Sequence, residues 1–563
     1  MRYPVLFVCW LSILFPAHLA WAGDSTLMRA MEDELGRSLE ELQLESLEKP
    51  YFISYRIDET HSQSAAATFG SLLYSRQDRT RGLRVEIRIG DYSLDNTNFR
   101  SYSSANSNMV RMYGGRIALP LEDNYLELRR LLWLATDVVY KKALEELAKK
   151  RALLQNKMRT EIIDDFSRAD PIQLEALLPS MPMDLQWGEA LVCDLSGIFR
   201  TMPLVAKSRV SLGVGSTDTY YVNSEGTRFV RTTQSLQFNV SASTQAADGI
   251  PLNDRYSVLG LSLEDLPERE VLVARIRALG ERMENAFQAP LAARFTGPVL
   301  FEKQAAAELF VQGFAPYLVA TRKVLSDNES YSRNAPKENP FLDKIGIRVL
   351  PEFLSVINAP DRLQWKGNSL IGHYRIDDEG VLSRSVALVE KGVLNTLLNT
   401  RNPARGIDQS NGSRRGRGAA PANLLISSKK TLGSKKMRRE LSKLVKRQKK
   451  DYGIVIRRLG RSGRSKDGPT LGPALEAYKV YRDGREERMR NAEFNSFGPG
   501  PFKDIVAVAK KTFVHNTIYS SGGHSAAVSI VLPEGILFED ITIRPPSGEI
   551  LKPPVAGHPY FNE

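Results

Sequence analysis

Apolar residues recur at helical spacing from Leu27 to Leu47, through Met28, Met31, Leu35, Leu39 and Leu42. That period predicts an opening helix. Leu83, Val85, Ile87 and Ile89 then alternate with Arg84, Glu86 and Arg88, as along a half-buried strand. From Asp123 to Met158 the helical period returns in Leu128, Leu131, Leu132, Ala135, Val138, Val139 and Leu147, with no internal Pro or Gly. About 36 residues at a 1.5 Å rise predict a rod of roughly 54 Å, long enough to cross a domain or meet a partner. Over 217–243, TYYVNSEGT reads as a hairpin turning at Asn223–Gly226, and Leu236, Phe238, Val240 and Ala242 alternate on the next strand. Asp265 stands where it could cap a helix with Pro267 in its first turn, running to Phe287. Past Pro290 short strands and turns dominate. The exceptions are a helix near Glu302–Ala320 and a basic one over Lys435–Lys450, and the turns include DDEG (377–380) and RDG (482–484). No repeat of fixed period occurs. Strands come in runs and do not alternate with helices, so the predicted class is α+β. An N-terminal α+β region, 23–290, carries the long helix, and a β-rich region, 291–563, follows.

The 563 residues are 42% hydrophobic and 25% charged, ordinary globular usage. This excludes a disordered, fibrous or polytopic membrane chain. Residues 1–22, MRYPVLFVCWLSILFPAHLAWA, place Arg2 before an apolar run that ends in Ala20-Trp21-Ala22. That pattern predicts an export signal cleaved after Ala22, and a periplasmic or secreted protein. No later stretch reaches the ~20 apolar residues of a membrane span. Cleavage leaves Cys193 as the one cysteine, which excludes an internal disulfide framework or a cysteine-rich metal site. Cys193 sits in LVCDLSG, where a buried inert thiol is expected.

Charge changes the picture locally. Ser413–Lys466 holds 19 Lys or Arg and two acids, Glu440 and Asp451, a net +17. The full chain is +12, so the remainder is net −5. Arg414, Arg415 and Arg417 lie among glycines in an expected loop, and Leu441, Leu444 and Val445 share one face of the basic helix. The segment reads either as an anion-binding patch or as a solvated face beside a loose loop. No aromatic residue interleaves it before Tyr452, so single strands have nothing to stack on. Together with export, this argues against nucleic acid as a partner.

None of the six histidines precedes a glutamate, so no HExxH or HExxxH helix exists, and neither a P-loop lysine nor a G-x-S-x-G elbow occurs. His515 and His524 flank a glycine-containing segment that could bring their rings together, with His373 as a third imidazole for zinc. Ordinary loop histidines are the alternative. Glu302 and Glu308, six apart on the expected helix, would point about 120° apart and make a poor acid–base pair.

Several stretches resemble the TldD/PmbA family, once named for modulation of DNA gyrase and now regarded as peptidases. They are YYVNSEGT (220–227), GPVLFEKQAAAELF (297–310), NPFLDKIGIRVLPEFLSV (339–356), IDDEGVLSRSVALVEKGVLNTLLNTR (376–401), QSNG (409–412), PANLLI (421–426), EAYKVYRDGREERMRNAEF (476–494) and FKDIVAV (502–508). The resemblance implies a two-region architecture. Catalytic subunits of the family are zinc peptidases with a HExxxH helix and a downstream cysteine. Alignment on Val299-Leu300 puts Glu302 and Ala307 at the two histidine positions and Lys303 at the catalytic glutamate, and the cysteine is missing. That pattern resembles the metal-free TldE/PmbA-type subunit. It implies no cofactor, a peptide substrate, and a homo- or hetero-dimer with a TldD-like catalytic subunit. Asn411, Arg414, Arg415 and Arg417, in QSNG and the basic loop, are the binding candidates. Whether the chain is itself an enzyme stays open. An active metallopeptidase with a relocated zinc site, and an envelope binding module using 413–466, are the alternatives.

Overall fold

The computed structural model describes residues 25–101, 115–156, 162–328, 330, 338–462, 464–465, 468–494, 497–521 and 524–546. The expected export signal, residues 1–22, and its expected cleavage site lie outside them. Helix α1 (Thr26–Glu41) is capped by Ser25, whose hydroxyl accepts from Met28 N at 3.2 Å. Strands β1 (Pro50–Thr68) and β2 (Ser71–Ile89) form a long antiparallel hairpin. Its turn residues, Phe69 and Gly70, both have positive φ, the twist that a two-residue hairpin requires. The long amphipathic helix is α2 (Tyr125–Asn156), and α3 (Leu185–Gly197) follows. Strands β3 (Lys207–Asn223), β4 (Arg228–Gln245) and β5 (Pro251–Gly260) come next, then α4 (Arg269–Gln288).

These strands make one sheet in the order β2-β1-β3-β4, with β5 antiparallel on β4. One part of its core is built with Leu128, Leu132, Ala135 and Leu147 of α2 and Met28 and Met31 of α1. The other part is built with Val192 and Leu195 of α3 and Leu272, Ile276 and Leu279 of α4. The hairpin expected at Asn223–Gly226 is the β3–β4 turn, and the alternation over 236–242 continues β4 itself. Asp265 does not cap α4. Its carboxylate accepts from Leu261 N (2.7 Å) and Ser262 N, closing a one-turn helix, Leu263–Asp265. Pro267 therefore stands before α4, which begins two residues later.

The C-terminal region adds two sheets. In chain order its elements are β6 (Phe295–Glu302), α5 (Gln304–Gly313), β7 (Leu354–Asn358), β8 (Val386–Glu390), β9 (Asn423–Ser428) and α6 (Ser434–Arg447). Then come β10 (Tyr452–Leu459), β11 (Ala474–Tyr481), β12 (Glu486–Met489), β13 (Thr512–Ser521), β14 (His524–Pro533) and β15 (Gly535–Arg544). One sheet runs β8-β7-β9-β14-β13 and the other β12-β11-β10-β6-β15. A single core joins Val356, Leu424 and Ile530 of the first with Val299, Ile456 and Phe538 of the second, through Leu309 and Phe310 of α5. The basic helix α6 buries Met437, Leu441, Leu444 and Val445 against β6 and β10, so its apolar stripe docks while Lys435, Lys436, Arg439 and Lys443 are exposed. Among the described residues no helix is long and apolar enough to cross a membrane.

Candidate functional site

Strand β6 ends where Glu302 pairs with Gly535 of β15. Lys303 N then donates to Glu534 O at 2.7 Å, and Lys303 takes φ +49°, turning the chain into α5. Glu302 and Lys303 therefore precede the helix, and the helical-wheel relation between Glu302 and Glu308 does not apply. Ala305, Ala306 and Ala307 are fully buried, and their small side chains let α5 seat between the sheets. Glu308 comes next. Its carboxylate accepts from Gln312 Nε2 (2.8 Å) and Thr517 Oγ1 (3.3 Å) and lies 3.0 Å from His515 Nε2. Burial alone would push Glu308 up, but the hydrogen bonds from His515, Gln312 and Thr517 outweigh it and hold the carboxyl below its ordinary range. His515 and Thr517 share one face of β13 because strand side chains alternate.

This pair faces a cavity of about 2780 Å³. Strands β4 and β5 form one wall. The others come from α5, β10, β13 and the 414–419 loop. Single-ligand sites usually enclose about 300–1,000 Å³, so this space suits an extended occupant.

The predicted site residues separate into groups. Glu302 is held by Arg438 Nη2 (3.1 Å) and Arg457 Nε (3.5 Å). Lys303 is exposed on the cavity wall, and Ala307 has no donor atom. A zinc ion does not fit this set, since one donor is neutralised by two guanidiniums, one position carries an ammonium and one a methyl group. Nor are the histidines brought together. His373 Nδ1 lies 2.8 Å from Pro360 O and is not part of the cavity wall. On the β13–β14 ladder His524 faces Ser521, whereas His515 faces Ile530. They stand six positions apart, about 20 Å along the ladder. The two glycines expected to turn them toward each other, Gly522 and Gly523, lie outside the described residues. Burial first, then Arg414, Arg415 and Arg417, push the His524 imidazole down. Among the described residues, no three His, Cys, Asp or Glu side chains group as metal ligands. Cys193 is partly buried in α3, and burial pushes its thiol up.

The binding candidates divide as well. Asn411 is buried and engaged within the protein. Its Oδ1 accepts from Asn399 N (2.9 Å) and Ser413 Oγ (2.7 Å), and its Nδ2 donates to Leu397 O (2.8 Å). Arg415 donates to Pro421 O (2.9 Å) and Ala527 O (2.5 Å), bracing the loop on β14. Arg414 pairs with Glu379 at 2.9 Å and also lines the cavity, as does the exposed Arg417. The loop is therefore a pinned hairpin, Arg414–Arg415 against Gly418–Ala419. DDEG is a turn, with Gly380 at φ +81°, and it is also an electrostatic joint. Asp378 receives Arg56 (2.8 Å) and Arg231 from the first sheet and Gly416 N (2.5 Å) from the loop.

The sequence reading missed the Glu308–His515 contact, which joins positions 207 residues apart. The alternation that places His515 and Thr517 on one face was the available signal. It also missed Arg255 and Arg461 on the cavity wall, for which no local signal exists.

Residues 295–544 match the sequence profile of the PmbA/TldA metallopeptidase C-terminal domain. Over 71 residues, 13% of the chain, the sequence is 37% identical to the metalloprotease MJ0996 of Methanocaldococcus jannaschii, and the matched segment spans 15% of that protein's length. The fold is similar to TldE from Thermococcus kodakarensis, with a TM-score of 0.56 at 14% identity, covering 92% of this chain and 100% of that one. It is also similar to TM0727 from Thermotoga maritima, a candidate modulator of a DNA gyrase, with a TM-score of 0.53 at 16% identity, covering 87% and 96%.

Proposed function

The chain belongs to the TldD/PmbA family through its C-terminal region, residues 295–544, and from that premise we propose that it is an exported, metal-free subunit or scaffold of a peptide-processing assembly. In this reading it works beside a catalytic subunit that supplies the metal, and residues 1–22 direct it to the periplasm or the exterior. The observation that carries the reading is the chemistry at the three motif positions: Glu302 clamped by Arg438 and Arg457, Lys303 a cation, and Ala307 a buried methyl. A peptidase of this type needs a Lewis acid to activate water, and these side chains are unsuited to holding one. The large cavity retained around α5 supports a role in receiving an extended chain. A relocated zinc site finds no support, because His373, His515 and His524 stand apart. The test is the zinc content of purified residues 23–563 after dialysis against a weak chelator, with co-purification of exported partners. The expected content is far below stoichiometric. About one tightly held zinc per chain would overturn the reading and direct attention to the histidines.

A further inference from the structure

The cavity wall is electrostatically one-sided. Among the described residues, ten Lys or Arg side chains line it against four Glu and no Asp. Half of those cations are neutralised within the protein. Arg282 and Arg458 share Asp254, Arg322 lies 3.2 Å from Asp165, Arg414 pairs with Glu379, and Arg457 bridges Glu302 and Glu486. The other five, Arg255, Arg275, Lys303, Arg417 and Arg461, make no ion pair among the described residues. They come from both regions of the chain, so they surround the space.

Arg255 is the informative one. It is half-buried in the middle of β5, an edge strand, opposite Ser241. Its electrostatic neighbours include Arg461 and Arg458, which repel it, and Glu308 and Asp254, which attract it. Glu308 is already engaged by His515, Gln312 and Thr517, and Asp254 by Arg282 and Arg458. A partly desolvated guanidinium beside two others is unfavourable unless an anion joins them.

We propose that the cavity selects a carboxylate-rich peptide, whose acidic side chains bridge Arg255 and Arg461, with Arg417 and Lys303 engaging further acids along the chain. The inference rests on the peptide-processing reading above. Guanidinium forks match carboxylates in two-pronged contacts, and the neutral Asn239, Ser241 and Ser257 on the same walls suit peptide amides. Nucleic acid is disfavoured because the aromatic faces needed for base stacking are taken. Arg275 lies over the Tyr256 ring at 6.0 Å, Tyr317 packs on Phe341, Phe513 on His515, and Tyr519 is buried.

The test is fluorescence anisotropy on residues 23–563 with three labelled, C-terminally amidated octapeptides of alternating glycine with glutamate, glutamine or lysine, and a labelled single-stranded oligonucleotide. The glutamate peptide should bind about tenfold or more tighter than its glutamine isostere, as charge-assisted contacts imply. Its affinity should fall as salt rises. The double variant R255Q/R461Q should remove most of that preference. R417Q, on an exposed side chain, should reduce the preference in part and guards against misfolding of the double variant. Equal binding of the glutamate and glutamine peptides would overturn acid selection and leave the peptide reading standing. No binding of any peptide would overturn both. Tighter binding of the oligonucleotide would overturn the choice of a peptide.

Discussion

Replacing Arg401 with methionine should destabilise the chain by about 3–5 kcal/mol, the cost of breaking a buried ion pair from one side. Arg401 is fully buried. Its Nε and Nη2 donate to Ser167 O at 2.9 and 2.6 Å, and Nη2 donates to Glu225 Oε1 at 2.7 Å. Nη1 lies 2.6 Å from Glu225 Oε2, and the guanidinium covers the Phe166 ring at 3.9 Å. Ser167 and Glu225 belong to the first region and Arg401 to the second, so this one side chain bolts the two together. Methionine keeps the stem packing, so the loss is electrostatic. Ser167 O loses its charged donors, about 1–3 kcal/mol, while Glu225 keeps the Tyr92 hydroxyl at 2.7 Å, which holds the total within the quoted range. Lysine retains the charge but not the fork, and R401K should fall between. Urea unfolding, fitted transition by transition because two regions need not unfold together, reads the loss. A double-mutant cycle with E225Q should show a coupling above about 1 kcal/mol. A cost for R401M below about 1 kcal/mol, or a coupling near zero, would refute the bolt.

Other outcomes follow from the same structure. L441A removes a buried side chain from α6 and should cost about 2–5 kcal/mol, whereas K443A on the exposed face should stay within about 0.5 kcal/mol; equal effects in urea unfolding would mean that α6 is not docked. Glu308 is held below the ordinary carboxylate range, so its stabilising contribution is present above that range and lost as pH falls through it. Wild type should therefore lose more stability than E308Q between pH 7 and 3, and parallel urea midpoints would refute this. Gly412 has φ +71°, and a Cβ there would sit 2.3 Å from Leu382 O, so G412A should cost more than about 2 kcal/mol; G484A, at φ +91° with open space, should cost about 1 kcal/mol.

What the sequence disclosed was whatever a local period controls. The α2 rod, the β2 alternation, the Asn223–Gly226 turn and the apolar stripe of α6 all appear within a residue or a few of their expected limits, because each depends on burying one face. The α+β class followed from those elements. The start of α5 was misjudged. Apolar spacing from Val299 onward does not reveal that Glu302 still belongs to a ladder with Gly535, nor that Lys303 adopts a left-handed turn. Asp265 was read as a helix cap on spacing alone, and its carboxylate closes the preceding turn. Charge was the least legible quantity. The +17 segment reads as a solvated patch until Arg414, Arg438, Arg457 and Arg458 are seen meeting acids far away in the chain.

Those partners tie Glu302 to the basic segment. A glutamate at position 302, at the mouth of α5, introduces an anion against a cavity wall. It is stabilised there only because Arg438 of α6 and Arg457 of β10 reach it, and both also contact Glu486 of β12 at 3.1 and 2.8 Å. The four charges form a closed lattice, and two of its cations belong to the basic segment. Restoring histidine at 302 alone would remove an anion from that lattice and leave two arginines against an imidazole, which opposes metal binding there as much as the missing donors do. Glu302 and the basic segment are therefore held in one charge network, and the wall they share is cationic. On this argument a variant carrying E302H, K303E and A307H should not gain tight zinc binding until R438Q and R457Q are added. Tight zinc binding by the triple variant alone would show that the lattice is irrelevant to the metal.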